Sequence, residues 1–118
     1  MATINKTIER VDRERINVFD TESKFQWLSN LDGVIARVVM QQEPVQYEYP
    51  DDLDRELLVK EPWDSLYGLY LEAMIDYHNR EYNNYNASMT MFNSQFDEFK
   101  KTYIRENMPK SAGKIKNL

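Results

Sequence analysis

Apolar and aromatic residues in the second half of the chain recur at alternating steps of four and three residues, from Leu71 to Tyr103. Residues three and four apart lie on one face of a helix, so the spacing predicts a continuous helical stripe, here called the seam. The positions between are mostly polar, which predicts long helices packed side by side. The seam comprises Leu71, Ile75, His78, Tyr82, Tyr85, Met89, Phe92, Phe96, Phe99 and Tyr103.

The first half of the chain predicts two further helices, joined by a short linker at residues 16–19. Residues 3–15 carry one apolar stripe and an otherwise charged surface, which is typical of a short amphipathic helix. Residues 21–42 form the second predicted helix, with Asp20 as its N-cap. Gly33 lies inside this pattern and indicates either a close helix–helix approach or a kink.

A long segment at residues 43–61 interrupts the helical pattern. Pro44 ends the second helix, and residues 45–49 alternate apolar and polar in the manner of a short strand. We predict an ordered loop here, with one helical turn near residues 53–58. A loop of this length in a compact domain is usually functional or bound to something.

Two interpretations of the seam differ at Asn79, a residue that tolerates the left-handed conformation of a helix C-cap. Either residues 63–79 and 81–107 form two helices, or they form one rod of about 45 residues, roughly 67 Å long. We favour the break. The chain is therefore predicted to be all-α, a small bundle of about four helices.

Charge divides the chain into an acidic body and a basic end. The whole chain has a net charge of −5, yet residues 100–118 carry six basic side chains and one acidic side chain. We predict one helical domain at residues 1–109 and a flexible basic tail at residues 110–118. An acidic body argues against a direct grip on DNA, because phosphate contacts require cations.

The basic tail has several interpretations. It could solubilise the chain and complement the dipole of the last helix, or bind nucleic acid without specificity. Alternatively it folds into an acidic groove of a partner. For the last of these, the candidate docking residues are Lys110, Lys114, Ile115 and Lys116.

Candidate chemistry is sparse. His78 is the one histidine and the chain has no cysteine, so we predict neither a catalytic site nor a metal or cofactor. Glu72 and Asp76 lie one helical turn apart, but no nucleophile accompanies them, so a solvated face or an ion pair with a neighbouring subunit is expected. The sequence contains no run of about 20 apolar residues, so no membrane span is predicted. The absence of cysteine fits folding in the cytosol.

Six stretches of the chain carry a resemblance to known proteins, and they consist of packing residues rather than a catalytic motif. These stretches are Phe19-Asp20, Trp27 to Gly33, Leu57 to Tyr67, Leu71 to Tyr77, Glu81 to Asn86 and Phe92-Asn93. In them the chain resembles the small head–tail connector (adaptor) proteins encoded in the head module of tailed phages (siphophages) and prophages of Gram-positive hosts. The likeness extends over about residues 3–109.

The resemblance implies a helical virion protein at the head–tail interface, assembled in the host cytoplasm. It implies a ring of about twelve copies, which docks on the portal and receives a stopper or tail completion protein, while DNA passes through the bore. The C-terminal segment of such adaptors typically reaches into the portal, which fits the basic tail. For contacts between neighbouring copies we predict Tyr47, Tyr49 and Trp63. The alternative is a small helical regulator whose seam closes a symmetric coiled-coil dimer.

Overall fold

The structure is a computed structural model and describes residues 2–107. This part of the chain folds into four α-helices. The first helix is short, the second continues into a π-helical turn, and a 3-10 turn leads into the third. Within the described range there is no strand, only an isolated bridge between Thr3 and Glu56. The predicted all-α class is confirmed. The elements are α1 (Ile4–Glu14), α2 (Thr21–Val34), the π-helical turn (Ile35–Val39), the 3-10 turn (Trp63–Ser65), α3 (Leu66–His78) and α4 (Tyr82–Asn107).

The starts of the first two helices follow from their capping residues. Thr3 accepts a hydrogen bond from the N–H of Lys6 at 3.1 Å, and Asp20 accepts one from the N–H of Ser23 at 2.8 Å. Side-chain oxygens at these positions satisfy amide groups that the first helical turn leaves without partners. Both helix starts therefore agree with the sequence.

The second helix ends earlier than predicted, at Val39 rather than residue 42. Its last turn widens, since the N–H of Met40 donates to the carbonyl of Ile35, five residues back. Gln41 then adopts a left-handed conformation with φ of 53°, which turns the chain out of the helix before Pro44. The apolar stripe ends with this widened turn at Val39. The predicted length was too great because residues 40–42 were counted as helical up to the stop at Pro44.

Gly33 does not mark a close approach between helices. A Cβ atom at Gly33 would lie 3.8 Å from the Cβ of Pro44, an ordinary contact with the following loop. At Gly68 on α3, a Cβ atom would overlap the guanidinium of Arg10, the far end of an exposed side chain on α1. A side chain at Gly68 would therefore displace that guanidinium rather than the helix that carries it.

The chain reverses between α3 and α4, as we favoured from the sequence. The left-handed residue is Arg80, with φ of 61°, and not Asn79. The N–H of Glu81 donates to the carbonyl of Asp76 at 2.9 Å, closing the end of α3. Between ring centroids, Tyr77 meets Tyr85 at 5.2 Å and Tyr70 meets Phe92 at 5.3 Å. Earlier residues of α3 therefore contact later residues of α4, so the two helices lie antiparallel. The single rod is therefore wrong.

The segment between the π-helical turn and the 3-10 turn is an irregular loop, as predicted in type but not in detail. A compact turn lies at residues 49–54, so the helical turn predicted near residues 53–58 is wrong. The alternation at residues 45–49 forms no ladder. Leu57 and Val59 are buried in the core and hold the end of the loop against the helices. Their burial, rather than any hydrogen-bonded ladder, fixes this part of the loop.

Helix α3 is the central element, since it packs against α1, α2 and α4. Its buried residues include Leu66, Tyr67, Leu71 and Ile75. These residues lie on more than one face of the helix, as a central position requires. The core is thus organised around one helix that its neighbours surround.

Candidate interaction surface

The seam residues are divided between the two arms of the α3–α4 hairpin. Leu71, Ile75, Phe92 and Phe99 are buried. Aromatic contacts continue along α4, with ring centroids of Phe92 and Phe96 5.6 Å apart. The seam is largely covered within one subunit. Its half-buried members are Tyr85, Met89, Phe96 and Tyr103, while Tyr82 and His78 are exposed.

The three aromatic residues predicted to contact neighbouring copies lie in different environments. Tyr47 is only 7% exposed and belongs to the core. Tyr49 is partly exposed and meets Phe25 edge-on at 5.4 Å. Trp63 is half-buried in a cleft that Phe99 also lines. We therefore keep Tyr49 and Trp63 as candidate contact residues and assign Tyr47 a role inside the subunit.

The role of Tyr47 is to bind Asp32, a buried carboxylate that the sequence reasoning missed. Asp32 is 1% exposed. It accepts hydrogen bonds from Tyr47 Oη at 2.7 Å, Tyr67 Oη at 2.5 Å and the N–H of Leu58 at 3.0 Å. The Tyr67 hydroxyl also accepts from the N–H of Val59 at 2.8 Å. One carboxylate thereby ties both ends of the loop to α2 and α3.

Burial controls the ionisation of this group. Desolvation raises the pKa of Asp32, although the three hydrogen bonds oppose the shift. Burial and the adjacent carboxylate raise the pKa values of Tyr47 and Tyr67, so both hydroxyls remain protonated donors. A sequence signal existed, because Asp32 lies four residues after Leu28 and three before Ile35, on the buried face of its helix.

A second buried carboxylate, Asp76, is paired with Arg15 inside the same chain. Arg15 Nη1 lies 2.7 Å from Asp76 Oδ2, and Arg15 Nη2 lies 2.8 Å from Glu72 Oε1. Desolvation raises the pKa of Asp76, and the charge of Arg15 opposes this. The expectation of a solvated face or a pair with a neighbouring subunit is thus wrong. The pair holds the start of the α1–α2 linker, residues 15–19, against α3.

An aromatic cluster holds the other end of that linker. Phe19 meets Trp27 edge-on at 5.6 Å and His78 at 5.9 Å between ring centroids. Trp27 stacks on His78 at 4.8 Å, and His78 Nδ1 lies 2.9 Å from the carbonyl of Met74. His78 is exposed as a residue and serves as a packing partner. The linker is therefore anchored at both ends.

Most of the exposed large apolar side chains fall into two places. One group surrounds the α1–α2 linker and the α3–α4 reversal, and a second lies at the far end of α2. Concentrations of exposed apolar side chains mark interaction sites. The two groups are Ile16, Val18, Tyr77 and Tyr82, and Val34, Val38 and Val45, while Tyr49, Met91 and Ile104 are exposed singly.

The buried polar side chains in the described range stabilise the fold through hydrogen bonds. Among residues 2–107, every buried side-chain nitrogen or oxygen has a hydrogen-bond partner. No group of three or more acidic, histidine or cysteine residues in that range could hold a metal ion. A groove of about 790 Å³ between α1, α3 and α4 carries Glu14, Glu72 and Glu98 with one cation, Arg10. This groove offers an acidic surface to a basic segment.

Comparison with known proteins adds no relative. The chain matches no family model, and comparison with curated proteins and with solved structures yields no match. None of the helices within residues 2–107 is both long enough and apolar enough to cross a membrane. The predicted portal-docking residues Lys110, Lys114, Ile115 and Lys116 lie outside the described residues.

Proposed function

We propose that this protein is a structural adaptor without enzymatic activity, which forms a ring at the head–tail junction of a tailed phage. The ring lies between the portal and a stopper or tail completion protein, and DNA passes through it. The observation that carries the proposal is the contrast between a fully satisfied interior and exposed β-branched side chains at both ends of α2. Such a division is typical of a subunit whose surface is completed by assembly.

The charge distribution supports a channel through which DNA moves without being held. The loop at residues 48–56 exposes Glu48, Asp51, Asp54 and Glu56, against one exposed cation, Arg55. Clustered carboxylates repel a phosphate backbone, whereas binding would need cations. An acidic bore therefore permits sliding, and we expect this loop to face it.

The alternative, a symmetric coiled-coil dimer, has less support. A coiled coil needs an apolar stripe free to meet a partner helix. Here Phe92 and Phe99 of α4 are already buried within the subunit, and Tyr70 of α3 packs on Phe92. The seam residues that would close such a dimer are therefore occupied by the hairpin.

The proposal is tested by binding to the portal protein encoded in the same genome. We expect the full chain to co-purify with the portal as a ring, visible by electron microscopy and by native mass spectrometry. A triple substitution in the tail, K110A/K114A/K116A, should abolish binding, because the tail supplies the docking cations.

The matched control is K100A/K101A/R105A, which removes the same charge from the last turns of α4. This variant should retain portal binding. If both triple variants lose binding equally, net charge rather than the tail is responsible. If the full chain does not bind the portal at all, the adaptor function is wrong.

A further inference from the structure

The α1–α2 linker presents two apolar side chains almost completely to solvent. Ile16 is 95% exposed and Val18 is 92% exposed. The residues between and beside them, Arg15, Asn17 and Phe19, point inward and are partly buried. This alternation is that of an extended strand with one face turned outward.

The linker is held in place, so these side chains are displayed rather than loose. Arg15 is bound to Asp76, and Phe19 is bound to Trp27. The Asn17 side chain makes two more hydrogen bonds in the linker. Its Nδ2 donates to the carbonyl of Arg15 at 3.0 Å, and its Oδ1 accepts from the N–H of Phe19 at 3.2 Å. Restraint of this kind lowers the entropy lost when such a segment is bound.

The backbone of the linker also lacks partners. Within residues 2–107, no hydrogen bond involves the backbone N–H or carbonyl of Ile16 or Val18. Exposed extended segments with free backbone groups and β-branched side chains accept another extended segment at their edge. The linker therefore has both the side chains and the backbone that such pairing requires.

An exposed apolar surface lies at the opposite end of α2. Val34, Val38, Pro44 and Val45 line a groove of about 630 Å³, here called the valine groove, and the polar residues around them include Arg37 and Gln46. Val34 and Val38 are each 51% exposed. Within the described residues, the backbone of Val45 makes no hydrogen bond. The groove therefore offers apolar side chains beside a backbone without partners.

Geometry prevents the two features from meeting within one chain. The linker precedes the first turn of α2, and Val38 lies beyond its last turn, about 25 Å away at the rise of a helix. Arg37 in the groove has no ion-pair partner among the described residues, whereas Glu14 and Asp20 flank the linker with exposed carboxylates. The unpaired cation in the groove is thus complementary in charge to the carboxylates beside the linker of another copy.

We infer that the α1–α2 linker of one copy binds in the valine groove of the next copy, with Ile16 and Val18 against Val34, Val38 and Val45. The contact joins different surfaces on the two copies, so it is heterologous and repeats around a ring. This inference rests on the proposed ring and names the surfaces that would build it.

The chain contains no cysteine, so disulfide trapping gives a direct test. Single variants V18C and V38C are purified, mixed and oxidised, both alone and in the presence of the portal. The two cysteines are too far apart for a bond within one chain. We expect a covalent dimer in the mixture and none with either variant alone, and a ladder of higher multiples from V18C/V38C.

The matched control replaces V38C by I104C, since Ile104 is also an exposed apolar residue but lies on α4. The V18C and I104C mixture should give no dimer above background. A dimer from V18C alone would show a symmetric contact and overturn the inference, and so would the absence of any trapped dimer with and without the portal. If the portal binds while no dimer is trapped, the adaptor function stands and only the surfaces assigned here are wrong.

Discussion

Replacing the buried carboxylate of Asp32 is expected to loosen the loop and destabilise the whole subunit. In Asp32→Ala, the hydroxyls of Tyr47 and Tyr67 and the N–H of Leu58 all lose their acceptor. Two of these donors belong to the loop and one to α3, so a single change disconnects the loop from the helices. Water cannot easily replace the lost acceptor, because Asp32 is 1% exposed.

The magnitude follows from the number of donors. A hydrogen bond to a charged group contributes about 1.5–3 kcal/mol, and a buried donor without a partner costs about 1–3 kcal/mol. These terms do not add fully within one network. Burying the carboxylate is itself unfavourable, so part of the loss is regained. We therefore expect the free energy of unfolding to fall by about 3–5 kcal/mol, a large part of the ~5–15 kcal/mol typical of a domain.

Urea denaturation followed by circular dichroism measures this loss, and hydrogen exchange at the amide of Leu58 locates it. The matched control is Asp97→Ala, which removes an exposed carboxylate 3.2 Å from Lys101 and should cost at most about 0.5 kcal/mol. If Asp32→Ala costs no more than this control, or leaves exchange at Leu58 unchanged, the assigned role of Asp32 is wrong.

Three further predictions concern pH and packing. Burial raises the pKa of Asp32 above its ordinary value of 3.8. Ionisation of Asp32 therefore lowers the free energy of unfolding of the wild type as pH rises, whereas Asp32→Asn has no such group. The difference in free energy of unfolding between wild type and Asp32→Asn should accordingly narrow from pH 3 to pH 8. Arg15→Ala leaves the buried carboxylate of Asp76 without its cation, so unfolding should require about 3 kcal/mol less, and calorimetry should show the deficit growing as pH rises above 4. Gly33→Ala should stabilise by about 0.5–1 kcal/mol through helix propensity, because a Cβ atom there would make only an ordinary contact of 3.8 Å with Pro44. A thermal melt in which the midpoint does not rise would contradict the open packing assigned to Gly33.

The helices could be predicted from the sequence because their signals are local. Asp20 and its neighbours determine one helix start, and the seam spacing determines α4 over its full length. The break between residues 79 and 81 was predicted, but the left-handed residue is Arg80 rather than Asn79, because the N–H of Glu81 closes α3 on the carbonyl of Asp76. Helix ends depend on such closures, which propensity does not encode.

The buried polar contacts could not be predicted in the same way, because they join residues distant in the chain. Asp32 and Tyr67 are 35 residues apart. The position of Asp32 among apolar residues indicates burial, but not which donors satisfy it. Tyr47 illustrates the consequence, since an aromatic residue in a polar loop predicts a surface anchor until its hydroxyl is seen to need an acceptor.

The surfaces that we expect to join the two ends of α2 in neighbouring copies are aliphatic, because much of the aromatic seam packs within the subunit. Phe92 of the seam packs on Tyr70 in the α3–α4 hairpin, and His78 packs on Phe19 of the linker. The linker and the valine groove at the two ends of α2 instead expose β-branched side chains, represented by Val18 and Val38. Stability and assembly should then be separable: Tyr47→Phe should weaken the subunit without altering disulfide trapping between V18C and V38C, whereas Val34→Asp, in the same groove, should abolish that trapping while leaving the urea midpoint close to wild type. A loss of trapping in Tyr47→Phe under conditions where it stays folded would show that stability and assembly are not separable, because the contact would then depend on the Tyr47–Asp32 bond that orders the loop side of the valine groove.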